Sequence, residues 1–176
     1  MESGYGEIPG RTLLLGLGNP ILGDDGVGWA VVELLSGMLE HRKDVVTVTA
    51  SVSPVRLPDT ISGFDRLVAV DSITTGRFEP GTLLEVDIGH ADVLPPSQHH
   101  FSMRSIPGLT RALGLPCPRT IRIYGIEINP PGEYGTELSP AIRARFPLIA
   151  EELMAAEFGE NPGKIHREEN LRHEQD

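Results

Sequence analysis

One cysteine, Cys117, stands in a chain of 176 residues, so the protein can form no internal disulfide and no zinc site built on several thiolates. It lies between Pro116 and Pro118 with no evident base beside it, and it reads as a small apolar loop residue. No run approaches the roughly 20 apolar residues that a membrane helix needs. The first eleven residues carry Glu2 and Glu7 and lack an apolar stretch of the export-signal kind, so the expected location is the cytoplasm. Basic residues are outnumbered 15 to 25, and the resulting net charge of −10 argues against a surface that tracks nucleic-acid phosphates. Also missing are G-x-x-x-x-G-K-[ST], H-E-x-x-H and G-x-S-x-G, the usual marks of phosphate-loop, zincin and nucleophile-elbow chemistry.

Enough remains for one domain. Hydrophobic residues make up 39% of the chain, and a domain of this length buries roughly 70% of its unfolded surface. Thr12–Leu17 is a short apolar run without alternation, as in a strand covered on both faces. After the turn cluster Gly18-Asn19-Pro20, apolar Val27, Ala30, Val31, Leu34, Leu35 and Met38 recur at helical spacing, with Asp24 or Asp25 placed to cap the helix start. Strands are predicted at Val45–Ser51, at Leu67–Val70 closing on Asp71, at Leu83–Val86 and at Thr120–Ile126. Pro80 and Gly81 put the Leu83 strand at a sheet edge. A short helix is predicted over Ile106–Leu115 with Pro107 in its first turn. Ser139 as N-cap and Pro140 at the first position open a last helix with apolar Ile142, Phe146, Ile149 and Leu153. Strands alternating with helices predict an α/β fold, a twisted and mostly parallel sheet of about five strands with helices on both faces. Residues 1–10 read as an N-terminal extension, 11–158 as the domain, and the Glu-, Arg- and His-rich 159–176 as a flexible tail.

Gly16-Leu17-Gly18 invites a dinucleotide-binding reading, but Ile21 occupies the place of the third glycine and Pro20 removes a backbone donor. Three polar features instead sit where α/β sheets put their sites, at the carboxyl ends of strands. These are Asp24-Asp25 between Gly23 and Gly26, Asp71 closing its strand, and His99-His100 in a Pro/Ser-rich loop. Two carboxylates and an imidazole form a mixed oxygen and nitrogen set suited to a borderline divalent cation such as nickel or zinc. Each also has an ordinary role open to it, as a helix cap, an acceptor for loop amides or a solvated loop histidine. On residue chemistry alone this is a metal-contacting or acid/base site of unspecified reaction.

The string Gly16-Leu17-Gly18-Asn19-Pro20-Ile21-Leu22-Gly23-Asp24-Asp25-Gly26-Val27-Gly28 closely resembles a family signature. It is that of the [NiFe]-hydrogenase maturation endopeptidases, G-x-G-N-x-x-x-x-D-[DE]-G-x-G. The likeness continues through Leu67–Asp71, the histidine-bearing loop, Gly125-Ile126-Glu127 and Leu138-Ser139-Pro140, covering about Arg11–Phe158. It implies a peptidase that clips a C-terminal extension from the hydrogenase large-subunit precursor once nickel is installed. It also implies a metal-contacting set of Asp25, Asp71 and His99, with adjacent His100 as the alternative, and Asp25 or Asp71 acting on the attacking water. Gly18, Asn19, Asp24 and Gly26 would then belong to a substrate-binding loop. Nickel would arrive with the substrate, so no tightly bound cofactor of the protein's own is expected, and neither nucleic acid nor membrane is an expected partner. A monomer is expected. Without nickel the three polar groups would be left unmatched, a penalty of roughly several kcal/mol if all are desolvated. Two rivals carry part of the same pattern. A nickel-binding maturation chaperone would use the same ligands without cutting. Peptidyl-tRNA hydrolases share the opening strand and G-L-G-N-P, but this chain departs from them at Gly23-Asp24-Asp25-Gly26.

Overall fold

The computed structural model describes residues 10–51, 56–86, 107–130, 135–159 and 166–167. Its first strand, β1 (Thr12–Leu17), is buried along its whole length: it pairs on both sides in parallel, with β2 (Val45–Ala50) and with β3 (Arg66–Ile73), and both of its faces are covered. Across β3 lies β5 (Thr120–Glu127), also parallel, with Asp71 opposite Gly125 and Ile73 opposite Glu127. The strand β4 (Leu83–Val86) runs antiparallel to β5. Only a two-residue strand, β6 (His166–Arg167), lies beyond it, and the full order is β2-β1-β3-β5-β4-β6. The mostly parallel sheet follows the pattern written in the chain, whereas the Leu83 strand, expected at an edge, carries β6 on its outer side.

Helices cover both faces. α1 (Val27–Met38) and α4 (Pro140–Phe158) pack over Leu14, Val68, Val70, Tyr124 and Ile126, while α2 (Leu57–Ile61) sits over Leu13, Leu15, Leu67 and Ala69 on the other side. Residues 107–112 form α3, which starts on Pro107, where its missing N–H costs nothing. α4 begins where its signal sits: the Ser139 hydroxyl oxygen accepts the Ile142 N–H at 3.4 Å and Pro140 takes the first turn. Among the described residues no helix is long and apolar enough to cross a membrane.

One polar knot holds the far end of α4. The stripe Ile142, Phe146, Ile149 and Leu153 continues at the same spacing to Glu157, whose carboxylate is therefore carried into the interior. There it meets Arg66, Arg122 at 3.2 Å and the Tyr124 hydroxyl, and Arg66 also donates to the Glu157 carbonyl at 3.3 Å. Burial, then the hydrogen bond and charge of Glu157, push the Tyr124 phenol well above its ordinary pKa. Glu157→Ala is expected to destabilise the protein by about 2–3 kcal/mol, since both arginines keep some access to water when their partner is gone. Urea unfolding at pH 7 checks this; an unshifted midpoint would show that the knot contributes nothing net.

Candidate functional site

The site is built where α1 is driven onto the carboxyl ends of β1 and β3. A Cβ added at Gly28, in the first turn of α1, would stand 2.6 Å from the carbonyl oxygens of both Leu17 and Val70 and 2.9 Å from the Cα of Asp71. Only a glycine lets the helix come this close. Gly18, at φ +133°, performs the matching turn at the end of β1: a side chain there would collide with the Asp25 carbonyl oxygen at 2.1 Å. Gly26 is likewise pressed against Pro20, 2.8 Å from its Cα. Gly18, Gly26 and Gly28 are spacers of this kind, and they bring the first loop down beside the end of β3.

Asp25 is held at both oxygens. Its Oδ2 accepts the Asn19 N–H at 2.9 Å, and its Oδ1 accepts the Ser72 hydroxyl at 3.1 Å. Asn19 shapes the loop as well, its side-chain oxygen accepting the Ile21 N–H at 3.2 Å in an Asx turn. Asp24 faces elsewhere, its Oδ1 accepting the Ser139 N–H at 2.6 Å. Neither aspartate caps α1, contrary to the expectation from its start signal. The helix N-cap is Gly26, without a side-chain bond, because Gly23–Gly26 winds as a 3-10 turn ahead of the helix. Both carboxylates are claimed by partners distant in the chain.

Asp71 is only 2% exposed. Its Oδ1 accepts the Ser72 N–H at 2.9 Å, while its Oδ2 is buried with no hydrogen-bond partner among the described residues. Burial raises this carboxyl to about pH 7, the charge of Asp25 adds to the rise, and the Ser72 N–H opposes it. Two carboxylates from different elements thus share one small volume, one solvated enough to be held by donors, the other short of a partner. His99 and His100 lie outside the described residues. Among the described residues, no group of three His, Cys, Asp or Glu side chains is gathered for a metal ion.

Two positioning features escaped the sequence pattern. Ser72 donates its hydroxyl to Asp25 and its amide to Asp71, and so joins the two acids. Glu127, 1% exposed at the end of β5, accepts from the Thr75 N–H at 2.8 Å, the Thr75 hydroxyl at 2.6 Å and the Gly76 N–H at 2.9 Å. It fixes the turn that follows β3. Its signal was present, an acid closing an apolar strand, but a strand end does not say which loop it will hold.

No family model matches the chain. Over 164 residues it is 26% identical to the hydrogenase expression/formation protein HupD of Thiocapsa roseopersicina, a match covering 89% of this chain and 71% of that protein. The hydrogenase-maturating endopeptidase HybD of Escherichia coli has the same fold, with a TM-score of 0.67 and 24% identity over 83% of this chain and 91% of that one. The [NiFe] hydrogenase maturation protease HybD of Thermococcus kodakarensis is 25% identical, with a TM-score of 0.57, over 80% and 95% of the two chains. In its fold and its first loop this chain is similar to the hydrogenase maturation proteases.

Proposed function

We propose that the protein removes the C-terminal extension of a [NiFe]-hydrogenase large-subunit precursor, and does so only after nickel has been installed there. The observation that carries this reading is the vacant oxygen of Asp71. A buried carboxylate oxygen without a donor is costly, and a divalent cation brought by the substrate supplies the missing partner. Asp25 stands beside it, and an imidazole of the His99-His100 pair completes an oxygen and nitrogen set of the kind nickel takes. Nickel is then part of what is recognised, and the protein needs no resident cofactor. The setting is the cytoplasm, with the peptidase acting as a monomer.

In the hydrolytic step the oxygen of a water bonds to the scissile carbonyl carbon while a carboxylate takes its proton. The C–N bond then breaks, and that proton passes to the departing amine. Asp71, poised at about pH 7, and Asp25, oriented by Asn19 and Ser72, are the groups proposed for this transfer and for holding the cation. Asp25→Asn keeps the acceptor for the Asn19 N–H but removes the charge, and it is expected to slow cleavage of nickel-loaded precursor at least 100-fold. Unchanged processing by this variant, followed by intact-mass measurement, would take Asp25 out of the mechanism.

A further inference from the structure

We propose that Asp24 is a positioning residue, a latch that ties the first loop to the entrance of α4 and thereby fixes where Asp25 stands. The proposal rests on the function proposed above and sharpens it by dividing the two adjacent aspartates. Asp25 turns toward β3, where Ser72 meets it; Asp24 turns the other way, to the Ser139 N–H, 115 residues on in the chain.

That 2.6 Å bond is charge-assisted and lies at the N-terminus of a 19-residue helix, where an acceptor carrying negative charge is favoured. It does not stand alone. The Gly23 N–H donates to the Gly135 carbonyl at 2.5 Å, the Gly135 N–H donates to the Ile21 carbonyl at 3.2 Å, and Leu22 and Gly135 form a parallel bridge. Residues 21–24 are therefore stitched to residues 135–139 along their length. Asp25 follows at once, its own N–H donating to the Leu22 carbonyl at 3.3 Å. Among the described residues its side chain has two bonds of its own, so the place of its carboxylate depends on the loop that carries it. Reacting groups must be held to within about 0.5 Å to be productive, and a loop freed from α4 loses that.

The latch requires an acceptor at Oδ1, not a charge. A residue that read the cation or a basic group of the substrate would require the charge. Asp24→Asn and Asp24→Ala separate the two cases, because asparagine keeps the acceptor and alanine does not. Ser139→Pro tests the other end: it removes the donor at φ −58°, which proline adopts without strain. On nickel-loaded precursor, Asp24→Asn is expected to keep at least three times the kcat of Asp24→Ala. Asp24→Ala should lower kcat at least tenfold with KM within twofold. The double variant Asp24→Ala/Ser139→Pro should be no slower than Ser139→Pro alone, which breaks the same bond and also removes the hydroxyl cap of α4. Asp25→Asn in the same series is the control for the proposed function.

Amide hydrogen exchange on the free protein supplies a readout that needs no cleavage. Protection at Gly23, Gly135 and Ser139 should fall at least tenfold in Asp24→Ala and be kept in Asp24→Asn. The latch is overturned if Asp24→Asn loses activity as Asp25→Asn does, if Asp24→Ala cleaves normally, if the double variant is slowed multiplicatively, or if exchange at those amides is unchanged by alanine. Failure of the native protein to cut, or full activity in Asp25→Asn, would instead count against the proposed function, and exchange would still decide the latch.

Discussion

Asp71→Asn is expected to abolish processing and, at the same time, to make the isolated protein more stable at pH 8. The two effects share one cause. Burial holds the native carboxyl at about pH 7, against an ordinary 3.8 in the unfolded chain. Native protein therefore binds the proton more tightly than unfolded protein does. The contribution of this group is fully present below about pH 4 and is lost as the pH rises through 7. At pH 8 the native state carries a buried charge whose Oδ2 has no partner, which amounts to a few kcal/mol of lost stability. Asparagine keeps the acceptor for the Ser72 N–H and carries no charge. The stability difference between variant and native protein should thus grow by a few kcal/mol between pH 4 and pH 8, then level off. Urea melts at several pH values measure it. Parallel curves would show that Asp71 is not the strained group described here. An asparagine variant that still cleaves would show that its charge is not used.

Gly28→Ala should be among the most damaging single methyls at the described glycines. Alanine is the better helix former by about 1 kcal/mol, and Gly28 lies within α1, so intrinsic preference favours the substitution. Space forbids it. The new carbon would meet two backbone carbonyl oxygens at 2.6 Å, at the ends of two central strands that cannot retreat. The expected loss is about 3 kcal/mol or more, with α1 pushed off the end of β3 and Asp71 displaced along with it. Gly37→Ala is the internal control: it lies in the same helix with nothing within 4 Å, so it should stabilise by about 0.5–1 kcal/mol. Equal denaturation midpoints for the two alanine variants would contradict the close seating of α1.

The contrast between these glycines marks how far the chain could be read without coordinates. Period and punctuation gave the elements: the unbroken apolar run of β1, the helical spacing of α1 over Val27–Met38, and Ser139-Pro140 at the mouth of α4. Asp71 stood out as the acid after an apolar run, although β3 continues past it to Ile73 because Ser72 and Ile73 still pair with β5. Pairings across long sequence distance were not legible. Nothing near Asp24 announces the Ser139 amide, so a nearby helix start looked like its natural partner. Ser72 reads as an ordinary strand residue until the loop bearing Asp25 is laid beside it. Glu157 could have been anticipated, since it continues the buried stripe of α4, but its partners Arg66, Tyr124 and Arg122 lie on two other elements. The close contacts of Gly28 are equally a property of the assembled sheet, whereas Gly37, one helix face away, has none.

The most direct test of the central claim is intact-mass spectrometry of a [NiFe]-hydrogenase large-subunit precursor, nickel-free and nickel-loaded, before and after exposure to this protein pretreated with a chelator. The account predicts loss of a short C-terminal peptide from the nickel-loaded precursor alone, by native protein but not by Asp71→Asn. Equal cleavage of the nickel-free precursor, or cleavage that the chelator treatment of the peptidase removes, would contradict it.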